Sequence, residues 1–361
     1  MSDDQAKNAF TFKRLPIEYY PTWGLRPGTQ MHKQDLSCIF INGGCGDYLA
    51  WLQSILWLAS EATWIRGRLV VPKYFIEIAQ YFLKEHPEWE IIDHSQLKER
   101  KDLDGIPFRG PVVLEQQALN ATGAHLLTCG WVYFTNKEKA PEGWDSYPQF
   151  KQDDLDEILA KYGRGIPAYG RYAVITTGIT TPSRHVPGKC WNYIIEHIRE
   201  RGLTPIFLGK SVVETGNSRN IHTEYDKVVR YDLGLDLRDK TSLLEAAAIM
   251  SRSAFTVGHD NGLLHLAGYT AAKIIFGYNL ASPEHREPRR PKGKTYNVHL
   301  THAELACNFC QSNVNFILGQ NFRQCMYSDL LCIQKLFEDK GARWKAQIDL
   351  ALKDEEERLV P

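Results

Sequence analysis

The chain has 361 residues, 43% of them hydrophobic and 24% charged, which excludes a disordered protein and suits two globular domains. Basic and acidic residues number 43 each, so the net charge gives no overall attraction to nucleic acid or to anionic membranes. No apolar run reaches the length of a membrane span, and Met1–Gln5 lacks the apolar core of a signal peptide. We therefore expect a soluble cytoplasmic protein.

The first half of the chain is predicted to alternate between strands and helices after a polar arm. Residues 36–41 form an apolar run that predicts a buried strand, and an apolar helix is predicted from Tyr48. The glycine-rich turn between them, residues 42–46, matches neither a dinucleotide fingerprint nor a P-loop. Asp47 stands at the start of the helix. Because ligands bind at the carboxyl ends of strands in open α/β sheets, Asp47 is placed for chemistry; stabilising the helix dipole is the alternative.

The same pattern restarts after residues 163–167, a linker that places a domain boundary near residue 165. A helix is predicted over 241–250, where Ser242 and Glu245 have the spacing of a capping box. Strands alternating with helices imply parallel sheets, and two such halves imply two doubly wound domains with a cleft between them. The predicted strands of this half include 172–178, 204–209, 228–233 and 272–277.

A strand-to-helix turn near residue 260 is the centre of the second half. The apolar run 254–257 leads through Asp260, Asn261 and Gly262 into a helix. Such a turn directs N–H groups outward at a helix N-terminus, where a diphosphate can bind. Asp260 could accept hydrogen bonds from sugar hydroxyls. The alternative is that Asp260 and Asn261 only cap the helix.

The chain carries in sequence Gly46-Asp47, the segment 189–191, and the segments 239–245 and 258–267. These motifs resemble those of glycosyltransferase family 9, which includes the ADP-heptose:lipopolysaccharide heptosyltransferases. The likeness covers roughly residues 38–336. Asp239 stands where the family usually has glycine, and Asn261 where it has threonine. Gly46-Asp47 is similar to the family's "G-D" and 189–191 to its "K-x-W". The segments 239–245 and 258–267 are similar to its "G-K-T-S-L … D-T-G-x-x-H-L-A".

This resemblance implies an α/β, GT-B fold of two doubly wound Rossmann-like domains facing across a cleft. It implies transfer, with inversion, of heptose or a similar sugar from a nucleotide sugar to an acceptor hydroxyl. Asp47 would be the general base, and no cofactor would be needed for catalysis. The expected divisions are an arm at 1–35, an acceptor-side domain at 36–165, a nucleotide-sugar-binding domain at 166–340 and a C-terminal helix or tail at 341–361.

The donor's leaving diphosphate needs cations and N–H groups around it. Lys189 is the family's cation by resemblance, and Arg184 competes with it for that role. By resemblance, Glu214 would accept from a ribose hydroxyl. His265 either faces the phosphates or packs in the core. The full set of predicted donor-binding residues is Thr180, Thr181, Arg184, Lys189, Glu214, Asp260, Asn261, Gly262 and His265.

Four cysteines cluster near the C-terminus, with a C-x2-C pair followed by two more. This spacing is typical of a tetrahedral thiolate site for zinc, and iron also accepts four thiolates. The cluster also resembles the iron-binding motif of family members that heptosylate autotransporter proteins. Buried thiols or disulfides are the alternatives. The predicted ligands of this structural metal are Cys307, Cys310, Cys325 and Cys332.

Two other classes of function are open at this point: a nucleotide-sugar-binding protein without transferase activity, and a scaffold. The acceptor could be a glycolipid, a protein side chain or a base in modified DNA. Aromatic residues of the first half suit stacking on sugars or bases, or fill the core. The basic stretch 286–294 could meet phosphates or form a solvated loop.

Overall fold

The computed structural model describes residues 35–39, 44–61, 66–101, 146–163, 165–177, 186–211, 228–278, 281–299 and 338–359. The chain divides into two compact units, Met1–Tyr147 and Pro148–Pro361, called here the N-terminal and the C-terminal unit. Among the described helices, none is long and apolar enough to cross a membrane.

The N-terminal unit is built on a parallel sheet of three strands in the order β1-β2-β3. Helix α1 follows β1 and buries one apolar face, because its leucine, isoleucine and alanine side chains recur at helical spacing. The fully buried residues of that face are Leu49, Leu52, Ile55 and Ala59. The elements are β1 (Asp35–Ile39), α1 (Cys45–Glu61), β2 (Arg66–Val71), α2 (Ile76–Leu83) and β3 (Trp89–Asp93), with 3-10 turns at Lys73–Phe75 and His94–Gln96.

The C-terminal unit has a parallel sheet of six strands in the order β6-β5-β4-β7-β8-β9. Chain order runs outward from β4 in one direction to β6 and then from β7 in the other to β9. The junction of β4 and β7 is therefore a topological switch point. The elements are α3 (Gln152–Tyr162), β4 (Tyr172–Thr176), α4 (Gly188–Glu200), β5 (Thr204–Leu208), β6 (Leu235–Asp236), α5 (Leu243–Ser251), β7 (Thr256–His259), α6 (Gly262–Ala267), β8 (Ile274–Tyr278), α7 (Pro283–Arg286), β9 (Thr295–His299) and α8 (Ala342–Leu359).

Helix α8 belongs to the core of the C-terminal unit. Trp344 of α8 is fully buried, and its ring centroid lies 5.7 Å from that of Trp191 in α4. Asp349 of α8 bonds to His197 Nε2 at 2.9 Å and accepts from Arg201 Nε at 2.8 Å. The C-terminal segment is thus held to the sheet by both apolar packing and ion pairs.

Helix α3 lies in the C-terminal unit, although the sequence assigned it to the first domain. The structure divides the chain at 147/148 and not near residue 165. The reason is local packing, since Asp156 of α3 forms a bidentate pair with Arg252, which follows α5. Gln152 of α3 also donates to Ser251 Oγ at 3.2 Å.

The strand predicted at 228–233 is wrong. A 3-10 turn occupies Tyr231–Leu233, and the short strand β6 begins only at Leu235. Side-chain bonds override the apolar run here, because the N–H of Arg230 donates to Asn192 Oδ1 at 2.8 Å and not to a neighbouring strand.

The backbone conformation at Asp239 explains why related sequences can have glycine at this position. Its φ is +58°, in the left-handed region that costs about 1–2 kcal/mol for a residue with a Cβ. The Asp239 carboxylate offsets part of this cost by accepting from the N–H of Ser211 at 3.0 Å and from its hydroxyl.

We expect Asp239→Ala to lower the free energy of unfolding by about 1–2 kcal/mol, because alanine keeps the strain and loses both bonds to Ser211. Asp239→Gly should be closer to the wild type, because glycine removes the strain. Urea denaturation of the two variants measures the difference. An alanine variant more stable than the glycine variant would contradict this account.

Candidate active site

The two central strands of the C-terminal unit meet closely at their carboxyl ends. Thr176 of β4 pairs with Gly258 of β7, and a Cβ built on Gly258 would lie 2.0 Å from Thr176 Oγ1. Only glycine permits this approach. The two following loops therefore start side by side at the topological switch point, where ligands bind in open α/β sheets.

Asn261 caps helix α6 and ties it to β4. Its Oδ1 accepts from the N–H groups of Leu263 (3.0 Å) and Leu264 (3.2 Å), and its Nδ2 donates to Thr176 Oγ1 at 3.0 Å. The capping role considered from the sequence therefore applies to Asn261. Since two N–H groups of this turn are already bonded, the turn offers an anion fewer donors than the sequence predicted.

Asp260 is not a cap of α6 but half of a buried pair. Its side chain follows β7 directly, and its Oδ1 lies 3.3 Å from Nε2 of His265. The two residues are 4% and 1% exposed. The His265 ring also packs edge-on against Phe276, with 5.6 Å between ring centroids. His265 therefore packs in the core and orients the Asp260 carboxylate at the end of the strand.

Lys189 is exposed and is the second residue of α4, the helix that follows β4. Lys189 thus lies in the helix that follows β4, and β4 pairs with β7, the strand that leads to Asp260 and Asn261. Of the predicted donor-binding set, the structure describes Lys189, Asp260, Asn261, Gly262 and His265. The others, Thr180, Thr181, Arg184 and Glu214, lie outside the described residues.

A further polar group at this edge was not found from the sequence. Thr177, at the end of β4, bonds through its hydroxyl to the Tyr231 hydroxyl at 3.0 Å. The Arg238 guanidinium lies 3.3 Å from the Tyr231 ring centroid and is held by both carboxylate oxygens of Asp236. The one sequence signal for this group was the place of Thr177 and Arg238, which follow the ends of β4 and β6.

The basic stretch after β8 is only partly a solvated loop, since residues 291–294 are exposed and residues 286–290 are buried or half-buried. Arg286 is only 6% exposed. The Arg290 guanidinium donates to the carbonyls of Ala267 (3.2 Å) and Thr270 (3.3 Å), and burial lowers the pKa of Arg290 to about 10. Arg290 therefore satisfies carbonyl groups at the C-terminal end of α6, a structural role.

In the N-terminal unit, Asp47 lies in the first turn of α1, after β1. Its Oδ2 accepts from the N–H of Gly44 at 2.8 Å, and its own N–H donates to the Gly44 carbonyl at 3.1 Å. The carboxylate is half-buried. Asp47 therefore does bond to the backbone at the start of α1. A variant that tests Asp47 as a general base has to keep the hydrogen bond from Gly44.

The side chains of Cys45 and Tyr74 lie near the Asp47 carboxylate. Burial, together with the Asp47 carboxylate, raises the pKa of the Cys45 thiol to about 12, so this thiol stays neutral and unreactive at neutral pH. Tyr74 is 48% exposed and follows β2. Burial of its hydroxyl, with Cys45 and a hydrogen bond to Tyr48, raises the pKa of Tyr74. Tyr74 is therefore a partly exposed side chain whose hydroxyl is buried near Asp47.

The other aromatic residues considered for stacking do not join this group. Trp51 is 4% exposed and belongs to the core. The side chains of Trp57, Trp64, Trp131 and Tyr133 lie outside the described residues, as do the four clustered cysteines. Among the described residues, no group of three or more histidine, cysteine or acidic side chains could hold a metal ion.

Comparison with known proteins points to one family. Residues 137–313 match the family model described as "Glycosyltransferase family 9 (heptosyltransferase)". The chain is therefore similar to glycosyltransferase family 9 over just under half of its length. It is a glycosyltransferase with a GT-B fold, as the resemblance predicted. No curated protein sequence matches the chain.

Solved structures of several glycosyltransferases share the fold at low sequence identity. The iron-containing dodecameric glycosyltransferase TibC from enterotoxigenic E. coli H10407 is 15% identical, with a TM-score of 0.61 over 88% of this chain and 76% of TibC. E. coli ADP-heptose LPS heptosyltransferase II is 14% identical, with a TM-score of 0.56 over 89% and 99% of the two chains. A family 9 protein from Veillonella parvula DSM 2008 is 10% identical, with a TM-score of 0.51 over 86% and 99%.

Proposed function

We propose that this glycosyltransferase moves heptose or a similar sugar, with inversion, from a nucleotide sugar to an acceptor hydroxyl. The observation that carries the proposal is the Asp260 carboxylate, oriented by His265 at the switch point of the parallel sheet. The TibC structure determined with ADP-D-β-D-heptose supports ADP-heptose as the first donor to test.

In the proposed reaction, Asp47 takes the proton of the acceptor hydroxyl while the hydroxyl oxygen attacks the anomeric carbon. The bond from that carbon to the diphosphate oxygen breaks, and the diphosphate leaves with the electron pair. Lys189 or Arg184, with the hydroxyls of Thr180 and Thr181, would stabilise the charge on the diphosphate. Gly262 would offer its N–H to the donor, and Glu214 would accept from the ribose.

The donor can be identified by thermal unfolding with ADP-heptose and with UDP-, GDP- and CDP-sugars. A ligand that binds only the folded state raises Tm by mass action. A rise with one nucleotide class identifies the donor for the experiments below. No rise with any donor would favour the scaffold alternative.

We expect Asp260→Asn to raise the Kd of that donor by about 10- to 100-fold, because hydrogen bonds to charged groups contribute about 1.5–3 kcal/mol. Asparagine has the size of aspartate, so the packing beside His265 is kept. Isothermal titration measures the Kd. Asp232→Asn, an exposed carboxylate paired with Arg230, is the matched control and should bind as the wild type does.

An unchanged Kd for Asp260→Asn, with the protein folded, would limit Asp260 to its structural pair with His265. Donor binding without any transfer, in the wild type and with every acceptor supplied, would favour the alternative of a nucleotide-sugar-binding protein. Glycolipid, protein side chain and modified DNA base are the acceptor classes to supply. Location in the cytoplasm also stays a prediction.

We also infer that the four clustered cysteines bind a structural metal, zinc or iron, and that catalysis needs no cofactor. The spacing of the four thiols and the iron content named for TibC support this. Four protein ligands would leave no open position for a substrate. Elemental analysis of purified protein should find zinc or iron, and Cys307→Ser should lose it. Metal-free wild-type protein would contradict the inference.

A further inference from the structure

The C-terminal unit has a cavity that the proposed transfer reaction does not use. Its volume is about 570 Å³, within the range of small-ligand sites. It is bounded by α3, by described residues between Gly163 and Tyr172, and by Arg252. Tyr172, one of its lining residues, is the first residue of β4. The cavity therefore lies at the amino end of β4, whereas Thr176 and the donor-binding turn lie at the carboxyl end.

An exposed aromatic ring forms one side of the cavity. Tyr169 is 62% exposed. The Arg252 guanidinium lies 5.3 Å from the centroid of the Tyr169 ring and packs on it as a cation–π pair. Leu159, Ile166 and Pro167 supply an apolar wall. The ring is thus held by Arg252 and remains largely open to a ligand.

The two charged side chains among the described lining residues, Asp156 and Arg252, neutralise each other. Arg252 Nε donates to Asp156 Oδ1 at 2.6 Å, and a second bond joins Nη2 to Oδ2. The bonds to Arg252 lower the pKa of Asp156, and the carboxylate raises the pKa of Arg252, so both stay charged near neutral pH. The pair offers donors and acceptors side by side without net charge. A phosphate or a nucleotide would therefore gain little electrostatic attraction from these described residues.

We propose that this cavity binds a neutral carbohydrate, with one sugar ring stacked on Tyr169 and its hydroxyls bonded to Arg252 and Asp156. Sugar hydroxyls both donate and accept hydrogen bonds, which matches a guanidinium beside a carboxylate. The C–H groups of a sugar ring contact an aromatic face through dispersion and burial of apolar area. This binding site is separate from the transfer site and does not depend on transfer activity.

The site is tested by saturation-transfer NMR on the full-length protein with maltotriose, mannotriose and chitotriose as probes. We expect at least one to receive saturation from the wild type and from Tyr169→Phe, which keeps the ring. Tyr169→Ala should lose most of that signal. Tyr193→Ala is the matched control, because Lys345 Nζ lies 5.5 Å from the Tyr193 ring in a similar cation–π pair.

Three results would overturn the proposal. The first is no saturation of any of the three sugars by the wild type. The second is a signal in Tyr169→Ala equal to that of the wild type. The third is preferential binding of AMP or of a proline-rich peptide, lost in Tyr169→Ala, which would assign the cavity to an anionic ligand or to a protein partner. Donor binding measured in the same samples shows whether the transfer site is intact, so failure of this site is distinguishable from failure of the proposed function.

Discussion

Asp47→Asn is expected to lower the rate of sugar transfer by about 10²- to 10⁴-fold, the usual contribution of a general base. Asparagine Oδ1 can still accept from the N–H of Gly44, a bond that is 2.8 Å long in the structure, so the start of α1 stays capped. The amide cannot take a proton at neutral pH. The measurement is release of nucleoside diphosphate from the donor identified by thermal unfolding, with a cell extract supplying the acceptor.

Asp93→Asn is the matched control for this experiment. Asp93 ends β3 in the same sheet and accepts from the N–H of Ser95 at 2.9 Å, a bond that asparagine also keeps. The control should transfer sugar at the rate of the wild type. If Asp47→Asn does so as well, Asp47 serves only the helix. If Asp47→Asn loses donor binding together with transfer activity, Asp47 does more than act as a base.

The parallel sheets could be predicted because apolar runs and helices alternate along the chain. Local rules were enough for α5, where Ser242 and Glu245 form the capping box that their spacing predicts. Strand β9 was missed because its signal is an alternation of polar and apolar residues and not an apolar run. Only Tyr296 and Val298 of this strand are buried, so it has no continuous apolar run. The position of α3 also could not be predicted, because it depends on Asp156 and Arg252, which are 96 residues apart in sequence.

At the candidate site, the sequence predicted residue types better than their roles. Motif spacing indicated Asp260, Asn261 and His265 together, but periodicity could not show that one caps the helix while the other two pair. The group formed by Thr177, Tyr231 and Arg238 depends on three separate elements of the sheet edge, so spacing could not reveal it.

Gly258→Ala is expected to lower the free energy of unfolding by about 3 kcal/mol, or Tm by roughly 6–12 °C, because overpacking between central strands is costly. The new Cβ would lie 2.0 Å from Thr176 Oγ1, 3.0 Å from the Thr176 carbonyl oxygen and 3.3 Å from Leu264 Cδ1. Gly202→Ala is the control, since no atom lies within 4 Å of a Cβ there. Its cost should be limited to the strain at φ +73°, about 1–2 kcal/mol.

A double-mutant cycle shows whether the contact with Thr176 causes the loss. Thr176→Ala removes Oγ1 and with it the bond from Asn261 Nδ2, so alone it should destabilise by about 1 kcal/mol. In the Gly258→Ala background it also removes the closest clash. The double variant should therefore be more stable than the sum of the single effects by about 1 kcal/mol or more. Strict additivity would mean that Gly258 is required for another reason, such as its approach to Leu264.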